Sequence, residues 1–430
     1  MFKTIINAFK VKEVRNKILL TLLLLFLYRV GCWLPIPGLD IEIFKTEITS
    51  VGGGFLGLLS TISGGALSNG AFLALGVSPY ISSSIIMQLL SVAIPKLERL
   101  TQEGGEEGKK KIAFYTRICA LVLSVAQAVG IVVAFSKYID PNLLGNSPLW
   151  MSCTFIAGIL IAGGMITVWL GERITEFGIG NGLSLLIFVG ILSSAGAALL
   201  DSFKNVGTDI SYLWNILIFL AAVLVIFFLI VFVDLGERKV PVQYAKQIKG
   251  RKMVGGQNTY IPIRVNGSGV IPIIFANALL AFPQMLISIF WPDVTWYAKW
   301  FGAGSIIYIV LTAILIVFFA YFYSQITFKP EDISKRIQQN GGFIPGIRAG
   351  KPTADYLGKI SKRITLFGAI FLAFISLVPS LAFTAIGGTS GNLINAFSAT
   401  GLMIVVSVAL ELDKQMEAQM LMRNYRGFLK

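Results

Sequence analysis

Ten apolar segments constrain this chain more than any other feature: 18–36, 72–93, 112–136, 150–170, 181–200, 213–233, 268–290, 305–326, 364–384 and 393–411. About 20 mostly apolar residues form a helix long enough to cross roughly 30 Å of hydrocarbon. In that medium the backbone must satisfy its own hydrogen bonds, so an all-α polytopic membrane protein with ten transmembrane helices is predicted. The first segment does not read as a cleavable leader, because it is too long and Leu34-Pro35-Ile36-Pro37 follows in place of small residues. Composition agrees, with only 13% charged residues against roughly 25% in globular domains.

An even number of spans puts both termini on one side. The connecting segments on that side (1–17, 94–111, 171–180, 234–267, 327–363 and 413–430) hold 30 of the 36 Lys and Arg residues. The opposite set (35–71, 137–149, 201–212, 291–304 and 385–392) holds four: Lys45, Lys137, Lys204 and Lys299. Cationic loops remain in the cytoplasm. Both termini are therefore expected on the cytoplasmic side of the cytoplasmic (inner) membrane. The net charge of +14 sets topology and is no sign of sequence-specific nucleic-acid binding.

Two cytoplasmic loops, 234–267 and 327–363, are longer than connection requires and are basic. They read either as a face attracted to anionic lipid or as a docking platform for a cytosolic partner. Residues 38–71 pose the opposite puzzle. They are too apolar for a solvated loop and too broken by glycine to span, as in Val51-Gly52-Gly53-Gly54 and Ser63-Gly64-Gly65. Such backbone at membrane depth is buried in protein or lines a cavity, so a re-entrant segment is favoured over an interfacial helix. A short echo links Gly76-Val77-Ser78-Pro79 with Gly269-Val270-Ile271-Pro272 at the starts of the second and seventh segments. Two five-helix halves would be inverted relative to each other, as in many transporters.

Much chemistry is excluded. The chain has no histidine, the commonest general base and metal ligand. Cys32, Cys119 and Cys153 are too scattered for a metal site or a disulfide framework. No acidic residue falls near a span centre, which argues against a proton relay and against a secondary transporter of a small solute, the alternative function. Arg29 and Arg117 are the two bases inside spans. Arg117, near an inner end, reads as structural, whereas Arg29 is deeper and suits a helix C-terminus or a polar groove. Gly104-Gly105-Glu106-Glu107-Gly108-Lys109-Lys110 lacks the spacing of a phosphate loop. Gly178-Ile179-Gly180-Asn181-Gly182 reads as a tight hairpin between spans. No cofactor, metal or catalytic group is expected, and any energy must come from a partner.

Three stretches carry a family resemblance. Phe72-Leu73-Ala74-Leu75-Gly76-Val77-Ser78-Pro79-Tyr80-Ile81-Ser82-Ser83-Ser84-Ile85-Ile86-Met87-Gln88-Leu89-Leu90 resembles the second-helix signature of the SecY/Sec61-alpha family of protein-conducting channels. The run from Trp169 to Gly182, through Gly171-Glu172-Arg173-Ile174-Thr175-Glu176, resembles its second signature. Phe343-Ile344-Pro345-Gly346-Ile347-Arg348 resembles the tip of its long cytoplasmic loop. The likeness extends over essentially the whole chain, and the bacterial form fits best.

The resemblance implies a clamshell of two inverted five-helix halves, 1–200 and 213–412, joined by a hinge at 201–212, with a cytoplasmic tail at 413–430. It implies a passive gated channel that conducts unfolded secretory polypeptides across the membrane and releases apolar segments sideways into lipid. The waist would be a ring of Val77, Ile81, Leu183, Ile187, Ile274 and Ile404, whose apolar side chains dewet a narrow passage. A re-entrant plug at about 50–70 would involve Phe55, Leu56, Leu58, Leu59, Ile62 and Leu67. Gln127 and Asn277 lie in spans that would form a lateral gate, where they bond across the seam or satisfy local backbone. Arg238, Lys239, Lys246, Arg264, Gly346 and Arg348 would meet the ribosome and the SecA motor. The implied membrane companions are the small subunits SecE and SecG.

Overall fold

The structure is a computed structural model describing residues 9–39, 60–102, 105–135, 139, 148–205, 211–244, 247–249, 252–254, 259–290, 300, 305–386 and 397–427. It is mostly helical, and a helix lies on each apolar segment: α1 (Lys12–Gly31), α2 (Ser78–Ala93), α4 (Gly105–Ala134), α5 (Leu149–Phe177), α6 (Gly182–Asn205), α7 (Ser211–Asp234), α8 (Ile271–Phe290), α9 (Ile306–Thr327), α11 (Lys351–Ile386) and α12 (Ala399–Gly427). Two shorter helices, α3 (Pro95–Gln102) and α10 (Pro330–Gln339), fall in segments that the charge pattern assigns to the cytoplasm. Five strands are added: β1 (Glu237–Tyr244), β2 (Gln247–Lys249), β3 (Lys252–Val254), β4 (Thr259–Arg264) and β5 (Gly342–Phe343).

Among the described residues, six helices are long and apolar enough to span a bilayer by themselves. The pair α2–α3, bent by 107° at its break, raises that number to seven. α1 and α12 fall outside that number for a compositional reason: α1 carries Arg15, Lys17 and Arg29, and α12 runs from its apolar half into Glu411, Asp413 and Lys414.

The second apolar segment is helical from Ser78, later than the predicted 72, because residues 63–77 form successive turns. Gly76 adopts φ +52°, a conformation that glycine reaches without steric cost. Pro79 follows in the first helical turn, where its missing N–H removes no helical bond.

Exposed apolar faces define the membrane-facing surface. In α7 the buried residues are Ile216, Phe219, Val223, Ile226, Ile230 and Val233, the three- and four-residue spacing of one helical stripe. Leu224, Val225, Phe228 and Phe232 on the other side are 60–69% exposed, an apolar area that only lipid or a partner helix can cover. Exposed tryptophans stand at helix ends: Trp33 after α1, Trp150 opening α5, Trp214 opening α7 and Trp300 before α9. Such amphipathic rings suit the headgroup level.

The chain forms two compact units, residues 1–218 with 278–305 and 386–430, and residues 219–277 with 306–385. In the first, α2 packs on α4, α4 on α5, α5 on α6, α1 on α5 and α6, and α12 on α6. Its core gathers Ile36, Leu67, Leu75, Ala128, Ile131, Ile156 and Leu160, so the turns at 63–77 contribute directly to it. In the second unit β4, β1 and β5 make one antiparallel sheet, with β1 central. Its register pairs Glu237 with Arg264, Val240 with Ile261, and Tyr244 with Gly342. Val240, Val242 and Ile263 turn one face of the sheet onto Ile337 of α10, Ile344 and Leu357 of α11, which is the alternation expected of a half-buried strand.

Candidate functional site

The described part of the segment expected to be re-entrant, residues 60–77, is built on close backbone approach. Its inner hydrogen bonds are largely self-supplied: Gly64 N donates to Thr61 O at 3.1 Å, Gly65 N to Ser60 O at 2.7 Å and Ala71 N to Ala66 O at 2.9 Å. Ile36 N donates to Gly70 O and Phe72 N to Leu34 O, each at 2.8 Å, tying the segment to the chain leaving α1. Small residues on the neighbouring helices make room. A Cβ on Gly163 of α5 would stand 2.0 Å from the Phe72 carbonyl oxygen, and one on Gly190 of α6 would stand 2.4 Å from that of Ile62. Of the predicted plug residues, Ile62 is half-buried and Leu67 is a fully buried core residue. Phe55, Leu56, Leu58 and Leu59 lie outside the described residues.

The predicted waist residues cluster at helix starts. Val77 caps α2 and is buried, and Ile81 follows four residues on, half-buried. Leu183 and Ile187 occupy the same spacing in the first turns of α6, so each pair lines one helix face. Ile187 and Ile404, in α12, are buried. These five belong to the first compact unit and Ile274, half-buried in α8, to the second.

Gly178-Ile179-Gly180-Asn181-Gly182 forms the predicted hairpin. A Cβ on Gly182 would come within 2.0 Å of the Gly171 carbonyl oxygen, so the ends of α5 and α6 touch backbone to backbone. Asn181 Oδ1 accepts from Leu183 N at 3.1 Å and caps α6. Ile179 N donates to Thr21 Oγ1 of α1 at 3.1 Å, and Ile179 packs with Val14 and Met416 of α12. The motif is a structural junction, not a ligand loop. Arg117 is structural as well: its Nε donates to Glu172 Oε1 at 2.6 Å.

Gln127, in α4, is buried, and its Oε1 has no hydrogen-bond partner among the described residues. Asn277 is half-buried in α8. Burying an unpaired amide oxygen is costly, and the two amides lie in different compact units.

The two long basic loops, read separately in the sequence, share a single sheet. Arg238 and Lys239 lie on β1 and Arg264 on β4, all exposed. Lys239 Nζ sits 4.8 Å from the centre of the Tyr260 ring, a cation–π distance, and 3.5 Å from a Glu237 carboxylate oxygen. Lys246 lies outside the described residues. Just after β5, Ile347 N donates to Ile344 O at 3.0 Å and Gly346 has φ +81°. With Pro345 before it, this is the type II turn that requires glycine at its third position. Arg348 is exposed beyond the turn, and Thr353 Oγ1 holds its carbonyl at 2.8 Å. Strand alternation in Val240-Pro241-Val242 and Ile261-Pro262-Ile263 was the signal that the loops were ordered. Arg29, expected at a helix C-terminus or in a polar groove, has a partner that sequence reasoning did not name: its Nη1 donates to the Gly64 carbonyl at 2.8 Å. A base at membrane depth marked the position, but no sequence pattern named a backbone oxygen as its partner.

Known proteins match this chain along its length. The sequence model of the SecY family matches residues 71–412. A protein translocase subunit SecY from Streptomyces scabiei is 40% identical, with 100% of each chain covered. Among solved structures, one described as showing that the plug domain of the SecY protein stabilizes the closed state of the translocation channel and maintains a membrane seal matches with TM-score 0.65 and 19% identity. It covers 94% of this chain and 91% of its own. Sec61 in the canine ribosome–channel complex from the endoplasmic reticulum matches with TM-score 0.60 and 18% identity over 94% and 91%. The chain belongs to the SecY family.

Proposed function

We propose that this chain is the pore subunit of a gated channel that passes unfolded secretory polypeptides through the cytoplasmic membrane and releases apolar segments sideways into lipid. The observation that carries this reading is the backbone at 60–77, non-spanning, buried among α1, α5 and α6 and adjoining the aliphatic helix starts of α2 and α6. A solute carrier would need polar or charged ligands there. This chain instead presents Val77, Ile81, Leu183 and Ile187, which bind no ion and dewet a narrow passage. The chain is a conduit, not an enzyme.

In this reading ten spans form two inverted halves, 1–200 and 213–412, about the hinge at 201–212, with both termini cytoplasmic. The Lys/Arg asymmetry supports that orientation. Ile274 and Ile404 complete the waist, residues about 50–70 are the plug, and Gln127 pairs with Asn277 across the lateral gate. The sheet bearing Arg238, Lys239 and Arg264, with the Gly346–Arg348 turn and Lys246, docks the ribosome and the SecA motor. SecE and SecG are the membrane companions.

A stalled secretory chain should cross-link to photoreactive probes at Val77, Ile81 and Ile274 alike. Absence of adducts at all three positions would refute the pore assignment. For docking, Arg348→Glu should abolish motor-driven translocation in vesicles while leaving the protein inserted, since a guanidinium fork toward carboxylate or phosphate is reversed in sign. Unchanged translocation by that variant would remove Arg348 from the docking surface.

A further inference from the structure

Arg29 lies in the last turn of α1, within the first apolar segment, and its side chain is half-buried. Among the described ion pairs it takes no part. Its guanidinium instead meets the 61–64 turn, where Nη1 donates to Gly64 O at 2.8 Å. Ser194 Oγ of α6 donates to Thr61 O of the same turn at 3.3 Å. The fit leaves no slack: a Cβ on Gly64 would stand 2.5 Å from Arg29 Nη1 and 2.9 Å from the Gly190 Cα. Gly64 and Gly65 hold left-handed φ values of +70° and +82°, which orient those carbonyls and which other residues resist.

The turn is thus held differently from the rest of its segment. Leu67, three residues on, is sealed into the apolar core of the first unit. Residues 61–64 are held by directional bonds to two carbonyls, by glycine contacts and by the half-buried Ile62, and the buried side chains of Thr61 and Ser63 are polar. Directional bonds fail over a small displacement, so this end can detach while the Leu67 end stays anchored.

We infer that Arg29, supported by Ser194, is the positioning residue that latches the re-entrant segment in its seated state, and that breaking the Arg29–Gly64 bond is a discrete step in opening. This rests on the plug reading of the segment, and it assigns the segment's release point to one side chain. The guanidinium suits the role because its planar fork presents its donors in fixed directions.

The test uses the complete translocase in sealed vesicles, with Cys32, Cys119 and Cys153 replaced by alanine. Ion leak without substrate is measured alongside translocation of a secretory chain. Losing one charge-assisted bond shifts such an equilibrium roughly tenfold. Arg29→Met should therefore raise the leak about tenfold, Arg29→Lys less because a charged donor remains, and Ser194→Ala two- to threefold. Ser194→Ala keeps the test informative if Arg29→Met inserts poorly. A thiol-to-thiol bridge between Thr61→Cys and Ser194→Cys should silence the Arg29→Met leak and block translocation until it is reversed. Leak unchanged in both the Arg29 and Ser194 variants, with the bridge still blocking translocation, would overturn the latch and leave the plug reading standing. A leak that persists under the bridge overturns the latch too, because Arg29 would then act elsewhere. Translocation undisturbed by the bridge would overturn the plug reading itself, and the latch with it.

Discussion

The chain builds the same helix start twice, at Gly76-Val77-Ser78-Pro79 and at Gly269-Val270-Ile271-Pro272. The glycines have φ +52° and +61°. In both, the valine carbonyl accepts from the N–H groups three and four residues on: from Tyr80 and Ile81 at 3.1 Å each, and from Ile273 and Ile274 at 3.1 and 3.2 Å. Ile81 and Ile274 therefore occupy the same position in their helices. The surroundings differ. A Cβ on Gly76 would lie 3.3 Å from Ser63 Cβ in the re-entrant segment, whereas Gly269 has open space around it. Four residues suffice to dictate a turn, but they leave open what the turn packs against. That identity of backbone supports the proposal of two related halves, while the difference in packing sets one start against the turn at Ser63 and leaves the other open.

The largest expected effect comes from placing a methyl at each glycine. Gly269→Ala meets only backbone strain and should cost about 1 kcal/mol. Gly76→Ala bears the same strain and also presses on Ser63, so its cost should reach about 2–3 kcal/mol. Thermal unfolding of the detergent-solubilised protein measures both. Equal losses would break the comparison by showing that Ser63 yields freely.

The same contrast explains what was legible in advance. Each apolar segment predicts a helix because apolar length at membrane scale admits little else, and the 178–182 hairpin followed from glycine content. The start of α2 was misplaced by six residues because Phe72-Leu73-Ala74-Leu75 is as apolar as a span yet sits in turns. Its buried environment, shaped by Gly163, favours turns over helix there. The joining of both long basic loops in one sheet escaped because β1 and β5 are about a hundred residues apart in the chain, and such pairing leaves no local mark. Arg29 escaped for a related reason. Its partner is a carbonyl, which every residue possesses, so no residue type identifies it.

A middle-sized effect should come from Ser63 itself, which has no counterpart beside Gly269. Its Oγ donates to Ser60 O at 3.1 Å and accepts from Leu67 N at 3.4 Å, buried. Ser63→Ala removes both bonds but keeps the Cβ that faces Gly76. The loss should be about 1–2 kcal/mol by the same unfolding measurement. It should also raise the ion leak of the reconstituted channel, because Ser63 links the latched turn to Leu67. A loss of stability with no change in leak would confine Ser63 to packing and would separate the turn from the anchor.

The smallest effect sharpens the likeness instead of the difference. Pro79 and Pro272 each sit second in their helices, where the ring fixes φ near the helical value and removes no needed donor. Replacing either by alanine frees the unfolded chain and should cost about 0.4–1 kcal/mol. Because the two backbones match, Pro79→Ala and Pro272→Ala should lower stability by the same amount within a few tenths of a kcal/mol, and the double variant should show additivity. The inequality found for the glycines would then belong wholly to Ser63 and the segment behind it. Unequal proline losses would instead place the difference in the helix starts themselves, and the shared turn would be a resemblance of dihedral angles alone.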